Sequence, residues 1–386
     1  MMTTPARRRF GLNYVPSRNW YYLWNEWDAA VVRDDFAAMA ELGIDHIRVQ
    51  LLWPYFQPNE GAVSGAHLDR LDELMEMAAR ARLDVLLCPL TGWLSGYRFL
   101  PPGVEADDIF LKPETFVRIQ RYFEAVLQRV GPRGNFIGFD LGNEINVMVS
   151  GLPSRKGDAW GRKLCSWLRP KMKGRWIVNG IDHMPWFQGG VFGVRHLVED
   201  YDAVCIHAWP FFTGCLERGG LDDPHSANLA AFLTRYCRSH MKRGKEKPVW
   251  IQEFGCSSLW GALPERKSYM EATIRSASAA GATWFTWWCS HDIERRYRFD
   301  PLEYDLGLLT TGNKVKPLGR LYQKLIAGQA GNPEPSAGEA RAFPDWDERK
   351  FTPGRTARLP RSQWVRQNLK TTTWALFEEY LAAGRK

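Results

Sequence analysis

Short apolar runs alternate with longer amphipathic stretches along most of this chain. The runs are FGLNYVP (10–16), DHIRVQLLW (45–53), DVLLCPL (84–90), FIGFDLGNE (136–144), WIVNG (176–180), AVCIHAWP (203–210), PVWIQEFG (248–255) and ATWFTWWCS (282–290). They are continuously apolar rather than alternating, as strands buried on both faces must be. Helical periodicity fills the gaps. Residues 66–82 set Leu68, Leu71, Leu74, Met75 and Ala78 on one face. Residues 113–130 do the same with Phe116, Ile119, Phe123, Val126, Leu127 and Val130, behind a Pro113 that suits a first turn. Further helices are expected near 29–42, 158–172, 226–243, 265–280 and 316–327, with the weakest signal at 190–200. Eight strands alternating with helices predict a (β/α)8 barrel over residues 1–328. An open doubly wound sheet would want a Gly-rich phosphate turn after its first strand, and NYVPSRNW is not one.

From about residue 330 the texture changes. A Pro- and Gly-rich stretch reads as an extended linker, and 362–384 as one or two helices carrying Trp364, Trp374, Leu376, Phe377, Tyr380 and Leu381. Residues 329–386 are therefore expected to be a linker and a helical tail packing on the barrel rather than a second complete domain.

Composition narrows the function classes. Of 386 residues, 18 are Trp, and indole faces stack on sugar rings as well as on bases. The net charge of +8 leaves nucleic acid open, but the basic residues are scattered and no nucleic-acid-binding signature appears. No stretch is apolar enough to span a membrane. Seven dispersed Cys form no CxxC pair and read as buried reduced thiols. Together with an N-terminus that runs into the first strand without a signal-peptide core, they make the cytoplasm the expected location. No spaced His or Cys set suggests a metal, and no cofactor is expected.

A parallel barrel carries its site at the C-terminal ends of its strands, so the polar residues there are the candidates. The second strand carries Arg48. The fourth ends Asn143-Glu144, the sixth carries His207 and Trp209, and the seventh ends in Glu253. The eighth leads into Trp287, Trp288, His291 and Asp292. Strands four and seven face each other across a barrel mouth, so two carboxylates converge. Paired carboxylates suit glycosidic cleavage, one to protonate the leaving oxygen and one to attack the anomeric carbon, and in retaining enzymes they sit about 5–5.5 Å apart.

Asn-Glu closing strand four and Glu closing strand seven resemble clan A glycoside hydrolases, family 5 most of all, over residues 10–327. The resemblance implies Glu144 as acid/base and Glu253 as nucleophile. It implies Asn143 on the sugar 2-hydroxyl, Arg48 beside Glu253 keeping it ionised, and His207 as the strand-six histidine. Where the family often has Tyr, this chain has Trp209, which leaves the nucleophile's hydrogen-bond partner open. A strand-eight aromatic should floor the sugar subsite, with Trp287 favoured over Trp288. The loop bearing His291, Asp292 and Arg295 is similar to loops that narrow the cleft to a pocket in exo-acting members, and the β-mannosidase branch is the nearest in character.

Each candidate has a plainer reading. Arg48 can be a barrel ion pair, His207 a satisfied core histidine, and His291 and Asp292 loop structure. Trp20, Trp24, Trp27 and Trp53 follow early strands and can be platforms or packing. The expected activity is double-displacement removal of a sugar from the non-reducing end of β-linked, mannose-containing oligosaccharides. The rivals are an endo-β-1,4-mannanase or β-glucanase with an open cleft, a sugar-binding barrel without turnover, and a single-strand nucleic-acid binder. The last is disfavoured because strand-end carboxylates repel phosphate.

Overall fold

The computed structural model describes residues 8–329 and 361–384. Eight parallel strands run β1 Arg9–Asn13, β2 His46–Gln50, β3 Asp84–Cys88, β4 Phe136–Asn143, β5 Trp176–Gly180, β6 Val204–His207, β7 Val249–Phe254 and β8 Trp284–Trp287. They pair in the order β5-β4-β3-β2-β1-β8-β7-β6, every link parallel. The seam between β5 and β6 is bridged where the Asp202 N–H donates to the Ile177 carbonyl at 3.0 Å. Between and after the strands lie α1 Ala29–Glu41, α2 Gly65–Arg80, α3 Pro113–Val130, α4 Ser154–Met172, α5 Val194–Glu199, α6 Pro224–Ser239, α7 Leu263–Ala280 and α8 Pro317–Gln329. This is the (β/α)8 barrel. Local chemistry sets several helix starts: Asp28, Ser64 and Asp223 accept from first-turn N–H groups of α1, α2 and α6, and Pro113 opens α3.

The apolar runs overreach the strands mainly at their C-terminal ends. Residues 51–53 and 208–210 stay buried although β2 and β6 have ended, because short helical turns at Trp53–Phe56 and Pro210–Thr213 tuck under the loops. Apolarity reports burial, and burial continues past the ladder.

Inside the barrel, two layers differ in kind. The lower is a plug of Trp176, Trp250 and Trp284, their ring centroids 4.7–6.2 Å apart, with His46 wedged against two of them. His46 fits because position 11 is glycine: a Cβ there would lie 2.4 Å from its ring. Alternation along β8 puts Trp284 and Thr286 inward and Phe285 and Trp287 outward. Above the plug the interior turns polar.

The linker expected from about residue 330 lies outside the described residues. Two tail helices, α9 Arg361–Asn368 and α10 Thr372–Gly384, lie on the barrel flank. Phe377 stacks on Phe232 of α6 at 4.7 Å, and Trp374 stacks on His225 at 6.0 Å. The buried Asn368 donates to the carbonyls of Phe212 and Thr213, at 3.4 and 3.2 Å.

Candidate active site

Arg48 organises the upper layer. It is wholly buried on β2, and its guanidinium donates to Asp140 (2.8 Å), Asn13 (3.0 Å), Glu253 (2.8 Å) and Asn143 (2.7 Å). Burial pulls its pKa down, but Asp140 and Glu253 more than offset this, and the net direction is up. Asp140 also accepts from the Gly180 N–H at 2.6 Å. Glycine is required there: a Cβ at 180 would meet Asp140, Arg48 and Gln252 within 2.5–2.6 Å.

Glu144 and Glu253 face each other across this layer. With His207 they form a trio whose nearest side-chain oxygen and nitrogen atoms all lie within 4.8 Å of one another. The His207 Nδ1 is 2.8 Å from Glu144 Oε1 and 3.4 Å from Glu253 Oε2, and its Nε2 is 3.1 Å from Gln252 Oε1. Glu144 sits just past β4 at φ 46°, a left-handed conformation that side-chain-bearing residues adopt at a cost. That bend turns its carboxyl into the mouth, and its N–H is anchored on the Gly180 carbonyl at 2.8 Å.

The two carboxyls differ in environment. Burial, then the nearby Asp182, pushes Glu144 up to about 8, against the pull of Arg48. Burial also raises Glu253, and Glu144 adds to that, while His207, Arg48 and the Trp209 N–H pull the other way. The indole Nε1 of Trp209 donates to Glu253 Oε2 at 3.2 Å, which supplies the partner that the missing tyrosine hydroxyl left open. Burial lowers the pKa of His207 and so favours the neutral ring. Glu144, His207 and Glu253 are also the one grouping of metal-ligating residue types found among the described residues, but the permanent cation of Arg48 already sits on Glu253.

Glu144 and Glu253 line a pocket with Asn143, Trp209 and Trp288, joined by Trp93, Asp182 and His183, while Arg48 and His207 hold them from behind. Six sequence candidates therefore come together: Glu144, Glu253, Asn143, Arg48, His207 and Trp209. Four do not. Trp287 points outward, packing on Phe254 at 5.1 Å and donating to the Leu306 carbonyl, and Trp288 lines the pocket instead. The alternation of β8, inward at 284 and 286, decides this. Trp53 starts the helical turn after β2 and is buried, its Nε1–H donating to Gln57 at 2.9 Å. His291 is held by the Val15 carbonyl and Asn313, and Asp292 by Lys316 at 2.6 Å. Those two anchor the base of the β8 loop, whose far end, at Asp300, Leu302 and Glu303, reaches the pocket.

Asp182 and His183 were missed although they lie within three residues of the end of the WIVNG run, where the strand-end rule already pointed. Asp140 was missed although an acid inside FIGFDL demands a buried cation. The loop residues carried no such signal.

No family model matches the chain, and no curated protein matches it. Solved structures do. A GH5_18 protein from Streptomyces cattleya, in complex with Manβ1-4GlcNAc, is 28% identical with a TM-score of 0.84, covering 97% of this chain and 91% of its own. A GH5_18 protein from Bifidobacterium longum subsp. infantis is 25% identical with a TM-score of 0.80, covering 86% and 81%. The chain is a glycoside hydrolase, similar in structure to these GH5_18 proteins. An exo-β-1,4-mannosidase from Opitutaceae bacterium strain TAV5, at 24% identity and a TM-score of 0.73 over 84% of this chain and 60% of its own, shares the hydrolase's fold. No helix among the described residues is long and apolar enough to cross a membrane.

Proposed function

We propose that the chain is a retaining exo-β-mannosidase that frees one mannose from the non-reducing end of short oligosaccharides, with Manβ1-4GlcNAc the first substrate to try. The observation that carries this is the separation of the two carboxyls. One oxygen of Glu144 lies within 4.8 Å of one oxygen of Glu253, which supports the close carboxyl pair of double displacement, about 5–5.5 Å apart, over the about 6.5–9.5 Å of inverting enzymes.

Glu144, held protonated by its surroundings, gives its proton to the leaving oxygen. Glu253, aimed by Arg48 and Trp209, attacks the anomeric carbon and forms a glycosyl ester as the C–O bond breaks. Glu144, now a carboxylate, takes a proton from water, which attacks the same carbon and returns Glu253. The Nε2–H of neutral His207 donates to Gln252 Oε1, which leaves Nδ1 to accept the Glu144 proton in the resting state. The bound sugar's 2-hydroxyl falls to Asn143 and its ring face to Trp288.

Exo action is supported by a wall on one side of the mouth. A hairpin after β3, Trp93–Leu94 with Tyr97–Arg98, meets the β8 loop where the Tyr97 O–H donates to the Arg298 carbonyl at 3.0 Å. Trp20 packs on Tyr97, Phe99 and Phe299 and knits three loops together. The seven cysteines, all buried and unpaired, support a reducing compartment such as the cytoplasm.

A panel of nitrophenyl β-glycosides tests the reading. The mannoside should be the best substrate, and Glu144→Gln and Glu253→Gln should each cost about 10³-fold or more in kcat. Full activity in either variant, or turnover of the glucoside alone, would refute it.

A further inference from the structure

We propose that Glu303 is a specificity-determining residue that grips the terminal sugar, its uncommitted carboxyl oxygen accepting hydrogen bonds from that sugar's hydroxyls. The inference rests on the glycosidase reading above and deepens it.

Five carboxylic residues line the pocket: Glu144, Asp182, Glu253, Asp300 and Glu303. Two belong to the bond-breaking chemistry. Asp182 Oδ1 is engaged by Asn146 (2.5 Å) and by the Met184 N–H (2.9 Å). Asp300 Oδ1 caps its own turn through the Leu302 N–H at 3.1 Å. Glu303 differs. Its Oε2 accepts from the Ser95 hydroxyl at 3.0 Å, and Oε1 has no protein hydrogen bond among the described residues. Burial, then the pull-free company of Asp300, Glu253 and Glu144, raises its carboxyl to about 7 against the help of Ser95. Glu303 is only partly buried and lines the pocket, so an oxygen without a protein donor there is open to a sugar hydroxyl in place of water.

Position says which sugar brings the donor. Glu303 stands where the β8 loop meets the turn of the β3 hairpin, and Ser95 is that turn. This is the closed wall, stitched by Tyr97 and Trp20. Only a chain end fits against a wall, so the unit touching Glu303 is the terminal one. A carboxylate oxygen can accept from two neighbouring hydroxyls, and such charge-assisted bonds are the strong ones. The other acids around it repel uronic or phosphorylated sugars, so the class admitted is neutral and rich in hydroxyls.

The test uses the full chain with nitrophenyl β-mannoside and Manβ1-4GlcNAc, comparing native protein with Glu303→Gln and Ser95→Ala. Both substrates present the same terminal unit. Glu303→Gln should therefore lower kcat/KM about tenfold or more on both, chiefly through KM. Ser95→Ala leaves the carboxyl but releases its aim, and should raise KM about threefold on both. An unchanged kcat/KM in Glu303→Gln, or a loss confined to the disaccharide, overturns the proposal while the glycosidase reading stands. Native protein inactive on every glycoside sinks the reading and takes this inference with it. If Glu303→Gln does not fold, Ser95→Ala decides alone, and an unmoved KM counts against the proposal.

Discussion

The lower and upper halves of the barrel interior are built by the same strands and solve opposite problems. Along β2 the inward side chains are His46 and then Arg48; along β7 they include Trp250 and then Gln252. One step of two residues separates an apolar plug from a charged layer. Below, ring contacts among Trp176, Trp250 and Trp284 fill space, and the polar His46 is satisfied by Asp45 at 2.6 Å and Thr286 at 2.8 Å. Above, four acceptors converge on one guanidinium, and the geometry holds because every arm of Arg48 is used. The plug gives a rigid floor; the charged layer uses that floor to hold carboxyls whose burial is unfavourable by itself.

This division can be broken from either side. The largest effect should come from Arg48→Met, which leaves Asp140 and Glu253 buried without their cation. A loss of about 3–5 kcal/mol in unfolding free energy is expected from denaturant titration, and hydrolysis should disappear with it. Intact activity in that variant would mean that the upper layer does not depend on the guanidinium. Next is Trp284→Ala, which opens a cavity in the plug. It should cost about 3–5 kcal/mol by the same titration, yet leave kcat on the mannoside within about twofold at temperatures where the protein stays folded. A kcat collapse there would show that floor and mouth are not separable.

The smallest and most specific effect is in the pH profile. Glu144 must be protonated to act as the acid, and its surroundings push it up to about 8. Its protonated form dominates below that value and is lost above it, so kcat/KM should fall with unit slope as pH rises through about 8. A decline centred near the ordinary carboxylate value instead would separate the geometry from the electrostatics.

Most of the fold was legible in the sequence because parallel strands buried on both faces leave unbroken apolar runs, and eight of them with helices between admit few other architectures. Six site candidates were legible for a related reason: Arg48, Asn143, Glu144, His207, Trp209 and Glu253 all lie on or just past strand ends, whose place in a barrel is fixed. Choosing Trp287 over Trp288 was an error of phase that counting alternation from Trp284 would have corrected. Trp53, His291 and Asp292 mislead for another reason. Loops have no period, and a polar or aromatic residue there goes wherever its hydrogen bonds take it. Glu303 shows the converse: its partner Ser95 is 208 positions away, and no local pattern links them.

The indole on Glu253 has a consequence for alkaline conditions. A phenol at position 209 would shed its proton near its own pKa of about 10 and, as phenolate, would push the neighbouring carboxylate away. The Trp209 N–H keeps its proton throughout the working range. Glu253 therefore has a donor that stays the same on both sides of the alkaline limb, and the limb measures the proton on the opposite carboxyl without a second ionisation from that donor folded into it.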